Sequence, residues 1–209
     1  MKFLAAMAGC LMAMPLDSAH AQAPRFKPLT ESEMSEAQLK AARELAGGLR
    51  GRFNPNGPNA ALLRSPELME RNQRVGEYLR YKSSIPARLN EFAILVTARH
   101  WNSQTEWIGH HDLAVKAGLS PSVAADLAQG KRPAGMKDDE AIVYQFCREI
   151  HDSKEVSDAT YRAVVDKFGE RGVIDLVALT GYYTMLAMVL NVTRMPLPEG
   201  TPLPLPALK

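Results

Sequence analysis

Cysteine is nearly absent from this chain. Its 209 residues include two, Cys10 and Cys147, too few for a disulfide framework or a four-thiolate metal centre. Aromatic residues are sparse at 7%, and no run alternates apolar and polar residues as a half-buried strand does. An excess of one charge is missing too: 25 Lys and Arg against 23 Asp and Glu leave a formal net charge of +2. That balance excludes the strong field that draws in nucleic acid or an anionic membrane surface. No internal repeat recurs. What remains, 46% hydrophobic and 23% charged residues, is the mixture of a soluble globular protein. A chain of this length buries roughly 70% of its unfolded surface and sustains its own core. The pattern reads as all-α, with one folded domain.

At the N-terminus, Lys2 precedes an apolar run over residues 3–16, followed by Ala19-His20-Ala21. A basic start, a short apolar stretch and a small-x-small site make a secretory signal peptide, assigned to residues 1–21. The run is too short to span a bilayer as a mature helix. The expectation is an exported, periplasmic protein with no membrane attachment after cleavage. Cleavage removes Cys10, leaving Cys147 as the single thiol and no intramolecular disulfide. Lys2 and Asp17 leave together, so the net charge is unchanged.

Residues 22–40 form a polar lead-in and the start of a first helix, read over residues 33–46 and closed by Gly47-Gly48. Asn54-Pro55-Asn56-Gly57-Pro58 forces turns. Ser65-Pro66-Glu67 opens a helix to about Tyr81. Ser84-Ile85-Pro86 opens the next, in which Leu89, Phe92, Ala93 and Val96 make a one-sided apolar stripe. A break at residues 100–102 and Gly118 bound a further helix. Ser120-Pro121, Asp138 and Ser157-Asp158 open three more, the last ending near Gly169. Residues 173–190 are the most apolar stretch after the leader. Asp175, Thr180 and Tyr182 interrupt it as a membrane span, and its apolar residues occupy several faces, which demands cover on all sides, in part from another subunit. Pro196, Pro198, Pro202, Pro204 and Pro206 mark residues 196–209 as an extended tail, suited to packing on a neighbour.

The chemistry concentrates in residues 91–118. Glu106 and His110 stand at i, i+4 and share a helix face, with Ser103 one turn earlier. Trp101 and Trp107 are the chain's only tryptophans, and His100, His110 and His111 are three of its five histidines. A carboxylate orients an imidazole and leaves it able to give or take a proton near neutral pH. Glu91 supplies a second carboxylate if the turn at Trp101-Asn102 folds its helix back, and indole walls would exclude water. Plainer roles stand beside these. Ser103-Gln104-Thr105-Glu106 fits a capping box. His110 could be a hydrogen-bonded core histidine, His111 a solvated one, and His100 a complement to a helix C-terminus. The tryptophans could be packing, and Gly109 could allow close helix approach. Glu106 and His110 with Glu91 or His100 also make a partial ligand set for zinc or a similar ion.

The run W-N-S-Q-T-E-W-I-G-H at residues 101–110, with A-x2-A-G-L-S at 114–120, resembles the carboxymuconolactone decarboxylase family. So does F-G-E-R-G-V-I-D-L-V at 168–177, followed by G-Y-Y at 181–183. The resemblance runs from about residue 41 to residue 198, and the domain is drawn over residues 41–195. It implies an alkylhydroperoxidase D-like helical bundle assembled as a homotrimer or homohexamer, with one of two activities. One branch decarboxylates a small lactone acid and needs no cofactor or metal. The other reduces peroxides through a C-x-x-C pair. Carried over to this chain, the peroxidase pattern puts its glutamate at Glu91, its histidine at His110 and its two thiols at Ser103 and Glu106. Neither of those is a thiol, which disfavours the peroxide route. The decarboxylase branch makes Glu91, Glu106 and His110 catalytic on a small organic acid or lactone, with Ser103, Trp107, Arg99 and His100 around the substrate. A guanidinium to hold its oxygens would come from Arg52, Arg88 or Arg99. A metal site and a non-catalytic small-acid binding protein remain as alternatives. Export sets the chain apart from a cytoplasmic catabolic enzyme and leaves its substrate open.

Overall fold

The structure, a computed structural model, describes residues 23–49, 51, 53–54, 57–197 and 200–208. The leader assigned to residues 1–21, with Cys10, lies outside them, as do Arg52, Pro55, Asn56 and Pro198. Eight α-helices and no strand are present among the described residues: α1 Glu36–Gly47, α2 Pro58–Leu62, α3 Pro66–Tyr81, α4 Ala87–His100, α5 Gln104–Lys116, α6 Pro121–Ala128, α7 Asp138–Asp152 and α8 Asp158–Thr193. The protein is all-α.

Helix α4 is the axis of the bundle. The sequence offers a one-sided stripe there, yet Leu89, Asn90 and every residue from Phe92 to Arg99 are buried, because α5, α6, α7 and α8 pack around it. Its last turn closes in a Schellman motif. Asn102 takes the left-handed conformation at φ 48°, Ser103 N–H donates to the Ala98 carbonyl at 2.8 Å, and Asn102 N–H donates to that of Arg99 at 3.1 Å. Asparagine tolerates that backbone region better than most side chains. This corner turns the chain back, so α5 runs beside α4. Gly118, at φ 99°, ends α5 with the same pair of bonds, from Leu119 to Ala114 and from Gly118 to Val115.

Two helical arms of α8 meet at Gly169, whose φ of 71° and ψ of 176° belong to a region that is essentially glycine-only. The sequence ends a helix at this point, and the physical reason is the same. Asp175 fastens the second arm: its carboxylate accepts from the Ser84 N–H and Oγ, each at 2.7 Å, and from the Tyr78 hydroxyl at 2.9 Å. Burial alone would raise this carboxyl, but those bonds and Arg171 hold it below its ordinary value. Among the described residues α8 alone is long and apolar enough to cross a bilayer, and half of its most apolar window is buried within the chain.

The tail packs on its own chain. Leu205 is buried, its N–H and carbonyl bond the Gln104 amide at 3.1 and 2.8 Å, and Arg99 reaches the Pro206 carbonyl at 3.3 Å. The described part of the tail is free of helix, as its prolines require.

Candidate functional site

Three elements converge on one imidazole. Glu91 comes from the first half of α4, and Glu106 and His110 come from α5, which the Asn102 corner folds alongside. His110 Nδ1 lies 2.6 Å from Glu91 Oε2, and Nε2 lies 3.5 Å from Glu106 Oε2. Tyr183 of α8 presses on the same ring edge-on, with centroids 5.0 Å apart. Glu106 and His110 are both buried, at 4% and 7% exposure.

The capping-box role for Ser103 and Glu106 is absent. The Ser103 side chain caps nothing, and its buried Oγ has no hydrogen-bond partner among the described residues. Glu106 turns toward His110 instead. Among the described residues no group of three His, Cys, Asp or Glu side chains is arranged to hold a metal ion.

Glu106, His110 and Tyr183 line a cavity of about 340 Å³, with Arg80 and Tyr81 from the end of α3. Pro58 and Asn59 of α2 close another side. That volume suits a small ligand. Burial drives the Tyr183 hydroxyl well above its ordinary range; Arg80 opposes the shift, while Glu106, Tyr182 and Glu91 add to it. The phenol is thereby kept neutral, as a potential donor.

Arg80 was not among the guanidinium candidates. Its terminal nitrogen lies 3.6 Å from Glu91 Oε1. Asn90 brings the two together, because its side-chain amide donates to the Leu79 carbonyl at 2.5 Å and ties the end of α3 to α4. The available signal is a helix ending at Tyr81 only ten residues before Glu91. Tyr183 stands in the G-Y-Y motif at residues 181–183, to which the sequence assigns no chemical role.

The remaining candidates fall elsewhere. Ser103 lines a separate cavity of about 760 Å³ beneath the tail, with Trp101, Leu190 and Met195. Trp107 is buried in the core and stacks with His111. Arg99 sits two turns beyond Glu91 on α4, bonded to Asn102 and the tail. His100 stacks on His151 at 4.4 Å and faces Asp152 at 3.8 Å. Arg88 is one turn before Glu91 but pairs with Asp139 and Glu140 of α7. Arg99, His100 and Arg88 are drawn away by partners on α7 or the tail that sequence spacing along α4 and α5 does not reveal. Cys147 is fully buried, and burial pushes its thiol up to about 12. A side chain added at Gly109 would meet nothing within 4 Å, so this glycine does not serve close helix approach; it borders the cavity.

Compared with known protein families and with curated proteins, the chain finds no match.

Proposed function

We propose that this protein is a cofactor-independent proton-transfer enzyme, a decarboxylase or lyase acting on a small lactone or keto acid. The carrying observation is His110, hydrogen-bonded at Nδ1 to Glu91 and facing Glu106 across 3.5 Å at Nε2, on the wall of a small cavity. As an imidazolium, the ring donates Nδ1–H to Glu91 and presents Nε2–H toward Glu106 and the cavity. In decarboxylation, the bond between the carboxylate and the adjacent carbon breaks, CO2 leaves, and the electron pair passes to the neighbouring carbonyl as an enolate. Nε2–H then protonates that carbon, the ring becomes neutral with its remaining proton on Nδ1, and water restores the lost proton. Glu91 fixes ring orientation and Glu106 guides the ligand-facing proton. The resemblance to the carboxymuconolactone decarboxylase family favours the same chemistry, an alkylhydroperoxidase D-like bundle and a homotrimer or homohexamer, exported to the periplasm.

The peroxide route gains no support from the thiol. Cys147 is sealed in the core with a raised thiol and does not border the cavity, whereas peroxide reduction needs an accessible thiolate.

The deciding experiment screens small β-keto acids and lactone acids for turnover with the wild type, His110→Ala and His110→Gln. Loss of a positioned general acid lowers the rate by about 10²–10⁴. The expected outcome is that loss, with the helical circular dichroism unchanged. Full turnover in His110→Ala, or binding without turnover across the whole screen, sinks the enzymatic reading.

A further inference from the structure

Among the described lining residues of the cavity, Arg80 alone carries a permanent positive charge. Proton transfer by His110 leaves it without a task. We propose that Arg80 is the electrophile of this site, donating to the carbonyl oxygen on which negative charge gathers as the neighbouring carbon loses CO2 or a proton. The inference rests on the proton-transfer reading of His110 and names the ligand class more closely, as a carbonyl compound reacting through its enolate.

The guanidinium has donors to spare. Its Nε is buried without a hydrogen-bond partner among the described residues, and its approach to Glu91, at 3.6 Å, is an ion pair longer than a hydrogen bond. It is nevertheless fixed in place. Asn90 binds the end of α3 to α4, and the guanidinium carbon sits over the Tyr81 ring, 5.5 Å from its centroid. A donor held before the reaction needs no reorganisation when charge appears, which is where electrostatic stabilisation is greatest.

The arrangement of charge favours an oxygen that becomes negative over one that arrives so. Glu91, behind the wall, already balances Arg80, and Glu106 adds a carboxylate that lines the cavity. A resident anion therefore meets no surplus of positive charge from these three groups. A carbonyl oxygen enters neutral and gains the guanidinium as its charge develops. One carboxylate sets both partners: Glu91 Oε2 holds His110 and Oε1 faces Arg80. The proton donor and the electrophile are thus placed on one post, as a reacting carbon and its carbonyl oxygen demand.

Substituted phenols test this directly, because a phenolate oxygen mimics an enolate oxygen and its ionisation is read by ultraviolet absorbance without turnover. The wild type is expected to bind 4-nitrophenol as the phenolate and to tighten as the ring substituents make the phenol more acidic. Arg80→Gln and Arg80→Met, each checked for native circular dichroism, should weaken phenolate binding by about 10–100-fold, the scale of a hydrogen bond to a charged group. Arg80→Lys should restore part of the loss, and binding of neutral benzyl alcohol should not change. Wild-type binding of the phenol in neutral form, or no binding at all, overturns the proposal. So does unchanged phenolate binding in both Arg80 variants, or loss of it in Arg52→Gln instead. Unchanged phenolate binding beside a collapse of turnover in His110→Ala removes the role of Arg80 and spares the proton donor. Arg80-dependent phenolate binding with full turnover in His110→Ala supports the oxyanion site and removes the proton donor.

Discussion

At Gly109 the missing side chain leaves room in the cavity rather than between helices. Alanine costs less than glycine in a helix interior by roughly 1 kcal/mol. Gly109→Ala should therefore raise the melting temperature slightly, while Gly109→Phe should fill the cavity and abolish ligand binding with the fold intact. Thermal melts and ligand titration of the two variants check this pair. A second titratable cluster lies outside the site. His151 stacks on His100, and its Nε2 lies 3.0 Å from Thr97 Oγ1, which itself donates to the Ala93 carbonyl. Burial first, then His100, pushes the His151 imidazole down to about 4; Asp152 opposes this, and Lys154 and Arg148 add to it. The unfolded chain, with an ordinary value near ~6.5, takes up the proton first as pH falls. Stability is therefore full above about pH 6.5 and declines toward pH 4. Melting temperatures measured from pH 7 to pH 4.5 should show this decline, and His151→Gln should flatten it.

Helices here were legible wherever capping chemistry is local. Ser65-Pro66 opens α3, Ser120-Pro121 opens α6, and Ser157 caps α8 by accepting from the Thr160 N–H. The short α2, starting at Pro58, carries only turn signals in the sequence, because a five-residue helix shows no period of its own. The capping signal at Ser103 misled for a different reason: Glu106 finds His110, a partner its own helix supplies one turn later. At the end of α3 and the start of α4, the decisive acid is Asp175, which sequence alone presents as an interruption in an apolar run. Its three accepted bonds cross from α8 to Tyr78 and Ser84. Asp175→Ala removes the shared acceptor of the Tyr78 and Ser84 donors and should cost about 1–3 kcal/mol, measured by urea unfolding. The loss should be larger at pH 7 than at pH 2, since a carboxyl held low contributes above its unfolded value and ceases to do so as it protonates.

Over the whole molecule, α8 keeps an apolar stripe outside. Ile174, Val177, Met188 and Val192 are exposed, spaced so that they fall along one side of the second arm. The all-round cover that its composition demands is thus incomplete within one chain. The proposed homo-oligomer would supply it: Ile174→Glu combined with Met188→Glu should shift sedimentation toward the monomer without loss of helicity. A wild type that sediments as a monomer removes the oligomer from the proposal.

The sequence by itself determined the helical architecture, most helix ends and the pairing of Glu106 with His110, because capping, periodicity and i, i+4 spacing act within a few residues of chain. Tertiary structure alone decided that Glu91 reaches His110, that Arg80 and Tyr183 join them, and that Arg99, His100 and Trp107 face other partners. Those outcomes depend on where α3, α4, α5 and α8 cross, and crossings are set by the burial of whole faces and by long-range bonds such as Asn90 to Leu79, which no local spacing encodes.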